Sequence, residues 1–66
     1  MELTSTQKLL MNGLELFGVE KEAMIGILIS LQKEEEMREL MNYMAENQQA
    51  NQEDILEQMV RIKNQN

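Results

Sequence analysis

The stretch Ala23-Met24-Ile25-Gly26-Ile27-Leu28-Ile29-Ser30-Leu31 decides the fold of this 66-residue chain. It carries no charge, and on a helix its apolar side chains cover nearly the whole circumference. A helix on the surface of a globular protein normally keeps one polar face. We therefore expect this segment to form a central helix, covered by neighbouring helices or by a second copy of the chain.

The composition restricts what can surround this helix. The chain has no Pro, three Gly, one Tyr and one Phe, and it is rich in Leu, Met, Glu and Gln. These residues favour helices and give little material for strands. Hydrophobic residues make up 42% of the chain, which is typical of a globular protein. We predict a single all-α domain over residues 1–66.

The small size of the domain favours self-association. A domain of this length buries only about 60% of the surface that its unfolded chain exposes, so its stability is marginal. The chain has no Cys and no His, which excludes disulfides and the usual structural zinc sites. Association is the remaining way to bury more apolar surface, and we expect a homodimer.

Hydrophobic periodicity predicts a small bundle of four short helices. The second helix is nearly all-round apolar, and the arrangement we expect is a tri-helical core plus a C-terminal helix. The apolar residues that recur at helical spacing define the segments. The predicted helices cover approximately residues 5–17, 20–32, 34–46 and 52–63.

Capping residues support three of these boundaries. Gly18 stands where a left-handed C-terminal cap of the first helix is wanted. Asn51, followed three residues later by Asp54, resembles a capping box at the start of the fourth helix. Three residues are good N-caps for the first helix, namely Thr4, Ser5 and Thr6.

Seven methionines, four of them in the predicted third and fourth helices, raise the question of an adaptable binding surface. Flexible thioethers are common at such surfaces, but they also fill irregular cores. Packing in the core or between copies is the favoured interpretation, and a groove for a partner helix is the alternative. The candidate interface residues are Ile25, Ile29, Met37, Met41, Met44 and Met59.

Gly13 and Gly26 lie inside helical patterns, where each costs about 1 kcal/mol relative to Ala. A close approach of the first two helices is the simplest reason for both. Alternatively, Gly13 kinks the first helix or ends it early.

The inventory of reactive side chains argues against an enzyme. Without His or Cys, the chain lacks the commonest general base and the commonest activated nucleophile. Most carboxylates fall at predicted helix starts or on polar faces, and not in the cleft that acid–base catalysis needs. Glu34, Glu35 and Glu36 do not form a metal site, because consecutive helical residues point about 100° apart. We expect no metal and no cofactor.

The net charge of −6 points to the class of partner. An acidic protein repels nucleic acid and meets basic partners faster. We therefore predict a non-enzymatic interaction module, of the kind of an inhibitor or antitoxin-like factor, that self-associates and binds the basic surface of a protein partner. Its candidate acidic face consists of Glu34, Glu35, Glu36 and Glu39.

The sequence from Leu3 to Met44 loosely resembles the tri-helical helix-turn-helix domains of response regulators and sigma factors. Leu3-Thr4 precedes the first helix, and the segment from Glu22 to Ser30 echoes the family pattern before its turn. The resemblance implies a tri-helical topology. The alternative function that goes with it is a transcription regulator, for which we expect weak nucleic-acid contact through Lys8, Lys21, Arg61 and Lys63.

The chain departs from that family in two places. Leu28 occupies the turn position usually held by Gly, and the helix in the place of the recognition helix carries four Glu. DNA binding depends on Lys and Arg that neutralise phosphates, so this helix should be repelled by a duplex. Nucleic acid is therefore an unlikely partner, and the helix-turn-helix function is the alternative hypothesis.

Location and assembly complete the predictions. The longest apolar run is far shorter than the ~20 residues of a membrane span. Glu2 stands where a signal peptide carries basic residues. We expect a cytoplasmic protein without membrane contact. A further alternative is a purely structural assembly subunit.

Overall fold

Four helices and no strand make up residues 2–65, the part of the chain that the computed structural model describes. The predicted all-α bundle of four short helices is confirmed. Each helix begins and ends within two residues of the expected position. The helices are α1 (Ser5–Leu16), α2 (Lys21–Ser30), α3 (Glu34–Glu46) and α4 (Gln52–Gln65).

Thr4 is the residue that caps α1. Its hydroxyl oxygen accepts a hydrogen bond from the backbone N–H of Gln7 at 3.1 Å. In return, Oε1 of Gln7 accepts from the backbone N–H of Thr4 at 2.7 Å. This reciprocal pair is a capping box, and it selects Thr4 from the three predicted candidates.

Gly18 ends α1 in the left-handed conformation that the sequence predicted, with φ of 78°. The N–H of Gly18 donates to the carbonyl of Glu15, and the N–H of Val19 donates to the carbonyl of Leu14, both at 3.0 Å. This pair of bonds is a Schellman motif. It brings Val19 back to the core beside Leu14 and turns the chain into α2.

The predicted capping box at the start of α4 is also present. The N–H of Asp54 donates to Oδ1 of Asn51 at 2.9 Å, and the N–H of Asn51 donates to Oδ2 of Asp54 at 3.1 Å. Both carboxylates of the first turn, Glu53 and Asp54, also favour the positive end of the helix dipole.

The four helices pack as a ring in the order α1, α2, α4, α3. Helix α1 contacts α2 and α3, and α4 contacts the same two helices. Within residues 2–65, α2 and α3 do not pack against each other, although only residues 31–33 separate them. A helix-turn-helix is a unit of two consecutive helices set at about 90–120°. The resemblance to that family therefore does not extend to a packed α2–α3 unit.

All four helices contribute to one core. Its fully buried side chains come from every helix and from Leu31, which follows α2 directly. Because α4 supplies two of them, it is an integral part of the bundle. The fully buried residues are Leu10, Leu14, Ile27, Leu31, Leu40, Ile55 and Ile62.

Two hydrogen bonds align α2 with α4. At the start of both helices, the N–H of Glu20 donates to Oε1 of Gln52 at 2.7 Å. At their other ends, Nζ of Lys63 donates to the carbonyl oxygen of Ser30 at 2.9 Å. Helices α2 and α4 therefore run in the same direction, side by side.

The two helical glycines have different surroundings. A Cβ on Gly13 would lie 3.2 Å from Cε of Met44, so this glycine permits close approach to α3. A Cβ on Gly26 would meet no atom of the described chain within 4 Å, apart from its chain neighbours and the backbone of its own helix. The predicted close approach of the first two helices is therefore wrong as the reason for either glycine.

Candidate interaction surface

Helix α2 has a covered side and an uncovered side, although its sequence is apolar on both. Met24 and Ile27 point into the core. Ile25 is 50% exposed and Ile29 is 64% exposed, because α2 packs only against α1 and α4. Residues spaced by three and four positions share a helix face. We define the α2 outer face as the exposed residues Glu22, Ile25, Gly26 and Ile29.

An apolar groove adjoins the α2 outer face on the side of α1. Its volume is about 480 Å³. Ile25 belongs to both the groove and the outer face, so the apolar surface is continuous between them. Glu15 and Lys21 add a charge of each sign to the lining. The groove is lined by Met11, Glu15, Val19, Lys21, Met24, Ile25 and Leu28.

The two ends of α2 carry different charges. Glu20 and Glu22 are exposed at its N-terminal end together with Lys21, which lines the groove on the side of α1, so this end carries a net charge of −1. At the C-terminal end, the bond to Ser30 holds the ammonium of Lys63 against the last turn, and the exposed Lys33 follows. Each arrangement suits the helix dipole at its end. The α2 outer face therefore lies between an acidic end and a basic end.

The predicted interface methionines lie in or against the core. Met37 and Met44 are each 3% exposed, so they belong to the core and are not available to a partner. This corrects their assignment to the interface. Met41 and Met59 are half-buried and pack against the same core. The methionines do recur at helical spacing, but their side chains face the neighbouring helices.

The predicted acidic face consists of three exposed carboxylates rather than four. Glu34, Glu35 and Glu39 are exposed. Glu36 is only 4% exposed, and its Oε1 accepts a hydrogen bond from the backbone N–H of Lys33 at 3.2 Å. Glu36 occupies the third position of α3, where a side chain reaches back to the residue before the helix.

Glu34 joins α3 to α1. Its Oε1 accepts from the hydroxyl of Thr6 at 3.0 Å and from the guanidinium of Arg38 at 3.1 Å. The hydrogen bond from Thr6, followed by the hydrogen bond and positive charge of Arg38, lowers the pKa of Glu34 below its ordinary value. The carboxylate is solvated, so the ion pair contributes little net stability.

The basic residues of the helix-turn-helix alternative do not form one patch. The guanidinium of Arg61 pairs with Glu57 at 3.1 Å, and the ammonium of Lys63 binds the end of α2. Two residues apart on one helix, these side chains point about 200° apart. The other two residues, Lys8 and Lys21, lie on α1 and α2.

A second apolar strip, formed by Leu9 and Leu16, is exposed on α1. Leu9 is 62% exposed and Leu16 is 87% exposed, whereas Leu10 and Leu14 are fully buried. Both pairs recur at helical spacing, so periodicity alone does not separate them. Only the positions of α2 and α3 around α1 decide which pair is covered.

No protein-family model, curated protein or solved structure matches this chain. The helices of residues 2–65 include none with both the length and the apolar character that crossing a bilayer requires. In the same part of the chain, no three acidic, Cys or His side chains are grouped as ligands for a metal ion.

Proposed function

We propose that this chain is a non-enzymatic, acidic protein–protein interaction module that forms a homodimer. The observation that carries the proposal is the α2 outer face, where Ile25 and Ile29 stay largely exposed on a helix without a polar side. Contiguous exposed apolar surface on a small protein is typical of an interaction site. A second copy would cover the one side of α2 that α1 and α4 leave open.

The protein partner in this proposal presents a basic surface. A charge of −6 accelerates encounter with such a surface and disfavours acidic competitors. Glu34, Glu35 and Glu39 supply exposed carboxylates on α3, away from the residues that define the α2 outer face. An inhibitor or antitoxin-like factor in the cytoplasm, acting by occupying a basic site on its target, fits this arrangement.

Sedimentation equilibrium over the micromolar range tests the self-association. We expect a monomer–dimer equilibrium that Ile29→Ser weakens by about tenfold or more, because the contact loses buried apolar area. Leu16→Ser is the matched control, since Leu16 is more exposed but lies on α1. A wild-type protein that stays monomeric at every concentration would contradict the homodimer.

Capture of a partner by charge variants of this protein tests the acidic surface. Immobilised wild-type protein is compared with a Glu35→Gln/Glu39→Gln variant in capture from the native cell extract. The control is Glu46→Gln/Glu53→Gln, which removes the same charge from other exposed positions. We expect a basic protein that the first variant loses, that the control retains, and that salt releases. Equal capture by both variants would exclude a role for the α3 carboxylates.

The regulator alternative has less support, because α2 and α3 do not form a packed pair and Glu35 and Glu39 are exposed on α3. It predicts a gel shift of duplex DNA at low salt that weakens steeply as salt rises. We expect no such shift with micromolar protein. Tight binding would restore this alternative.

The assembly-subunit alternative is favoured by the second apolar strip. Leu9 and Leu16 lie on α1, separate from the α2 outer face. A protein with two independent contact surfaces can extend beyond a closed dimer. Light scattering would then report masses that keep rising with concentration, and Leu16→Ser would limit the growth to a dimer.

A further inference from the structure

We infer that the α2 outer face binds the same face of a second copy, with the two α2 helices antiparallel and crossing at Gly26. This geometry places Glu22 of each copy beside Lys63 of the other. The inference rests on the proposed self-association and specifies which residues perform it.

Gly26 provides the first argument. A glycine in the middle of a helix is less favourable than alanine, so its presence calls for a packing reason. Residues 2–65 supply none, because a Cβ at this position would meet nothing within 4 Å beyond its chain neighbours and the backbone of its own helix. Helices that approach closely place small residues at their crossing point. An external helix seated between Ile25 and Ile29 is the contact that would use the missing side chain.

Charge complementarity identifies a second copy of the chain as that helix. Glu20 and Glu22 give the N-terminal end of α2 a net negative charge, because Lys21 between them offsets only one carboxylate and lies on the side of the α1 groove. Lys63 is hydrogen-bonded to the C-terminal end of α2. Glu22 lies four residues before Gly26, and Ser30 lies four residues after it. When antiparallel helices cross at Gly26, Glu22 of one copy therefore lies opposite Ser30 of the other. The carbonyl of Ser30 is the atom that holds the Lys63 ammonium at 2.9 Å.

The parallel arrangement lacks this complementarity. It would bring Glu22 beside Glu22 and Lys63 beside Lys63, and like charges side by side oppose association. With a twofold axis at Gly26, the contact between Glu22 and Lys63 of the other copy occurs twice, and the assembly closes as a dimer. The antiparallel pair is therefore the arrangement in which the charges of this chain complement themselves.

A dimer interface of standard size must extend beyond the surface of α2. A standard interface covers about 800 Å² per partner, which is about a sixth of the 4839 Å² surface. A helix of 10 residues is only about 15 Å long. The partner must also reach the groove beside Ile25. On the other flank it reaches Val60, which is 49% exposed and one turn before Lys63 on α4.

Cysteine cross-linking tests the position of the axis, because the chain has no cysteine of its own. A residue beside a twofold axis lies close to its own copy, and a disulfide requires Cβ atoms about 3.8 Å apart. We expect Ile25→Cys, which is one residue from the axis and leaves Gly26 unchanged, to form a disulfide-linked dimer at least about tenfold faster than Leu16→Cys under mild oxidation. Leu16 is the control because it is 87% exposed and lies on α1.

A charge-exchange cycle tests the pairing across the interface. We expect Glu22→Lys and Lys63→Glu each to raise the dimer dissociation constant by about tenfold, because two symmetry-related pairs become repulsive. The double variant restores opposite charges and should dimerise at least about threefold more tightly than either single variant. It stays weaker than wild type, because a carboxylate at position 63 cannot donate to the carbonyl of Ser30. Damage to the single chain would not be rescued in this way, and thermal melting of each variant at low concentration reports it separately.

The outcomes separate this geometry from the proposal on which it rests. A protein that remains monomeric overturns both. A dimer in which Leu16→Cys cross-links as fast as Ile25→Cys overturns the α2 contact and leaves self-association standing. A dimer that cross-links through Ile25→Cys but gains nothing from the double charge exchange overturns the antiparallel pairing.

Discussion

Replacing Ile27 with alanine should unfold the bundle far more readily than the same replacement at Ile29, one half-turn away. Ile27 is 0% exposed and Ile29 is 64% exposed. The two substitutions remove the same atoms from the same helix. Any difference between them therefore reports which side of α2 faces the core.

The magnitudes follow from burial. Ile27→Ala removes three buried carbons at about 0.8 kcal/mol each, about 2.4 kcal/mol, before any cavity term. With an incompletely relaxed cavity the cost is about 2–4 kcal/mol. Ile29→Ala forfeits only about a third of the transfer contribution, roughly 0.9 kcal/mol, and the higher helix propensity of alanine offsets part of that. We expect a net cost of roughly 0.5 kcal/mol.

Urea denaturation followed by far-ultraviolet circular dichroism measures both variants. A 66-residue domain has a total stability of roughly 3–10 kcal/mol, so Ile27→Ala removes a large fraction of it. The protein is kept dilute so that association does not contribute, and the urea dependence should stay close to wild type. Equal midpoints for the two variants would refute the assignment of Ile27 to the core and of Ile29 to the surface.

Three further predictions concern two helix caps and the contacts of Glu34. Gly18→Ala should cost about 1–2 kcal/mol by thermal or urea melting, because φ is 78° there and the penalty is purely conformational, with open space around the added Cβ. Asn51→Ala should cost about 1 kcal/mol through loss of the α4 cap, measured in the same way. For Glu34, the lowered pKa means that its stabilising contribution is complete above the ordinary value near 4.5 and is lost as pH falls through the folded value. Wild type should therefore exceed Glu34→Gln in stability at neutral pH and converge with it in strong acid, and a gap that widens in acid would contradict the Thr6 and Arg38 contacts as its cause.

Local signals were sufficient for the helices and their ends. Thr4, Gly18 and Asn51 act through hydrogen bonds to residues three to five positions away, so a short sequence window contains the whole interaction. The same holds for the stripes of α3 and α4, because residues three and four apart share a face in any helix. The all-α class required no knowledge of tertiary contacts.

The direction in which each stripe faces required the tertiary structure. The Met37 and Met44 stripe is compatible with a core or a partner groove, and only the packing of α3 against α1 and α4 assigns it to the core. In the same way, Leu9 and Leu10 are adjacent and equally apolar, yet one is exposed and the other is fully buried.

Helix α2 shows most clearly what the sequence determines and what only the tertiary structure decides. Its sequence predicted cover on nearly every side, because apolar side chains surround most of its circumference. Which side lacks cover was decided by the ring of helices, in which α2 touches α1 and α4 but not α3 within residues 2–65. Ile27 is buried and Ile29 is exposed for that reason alone, since burial depends on contacts between segments far apart in the chain, which local periodicity does not encode.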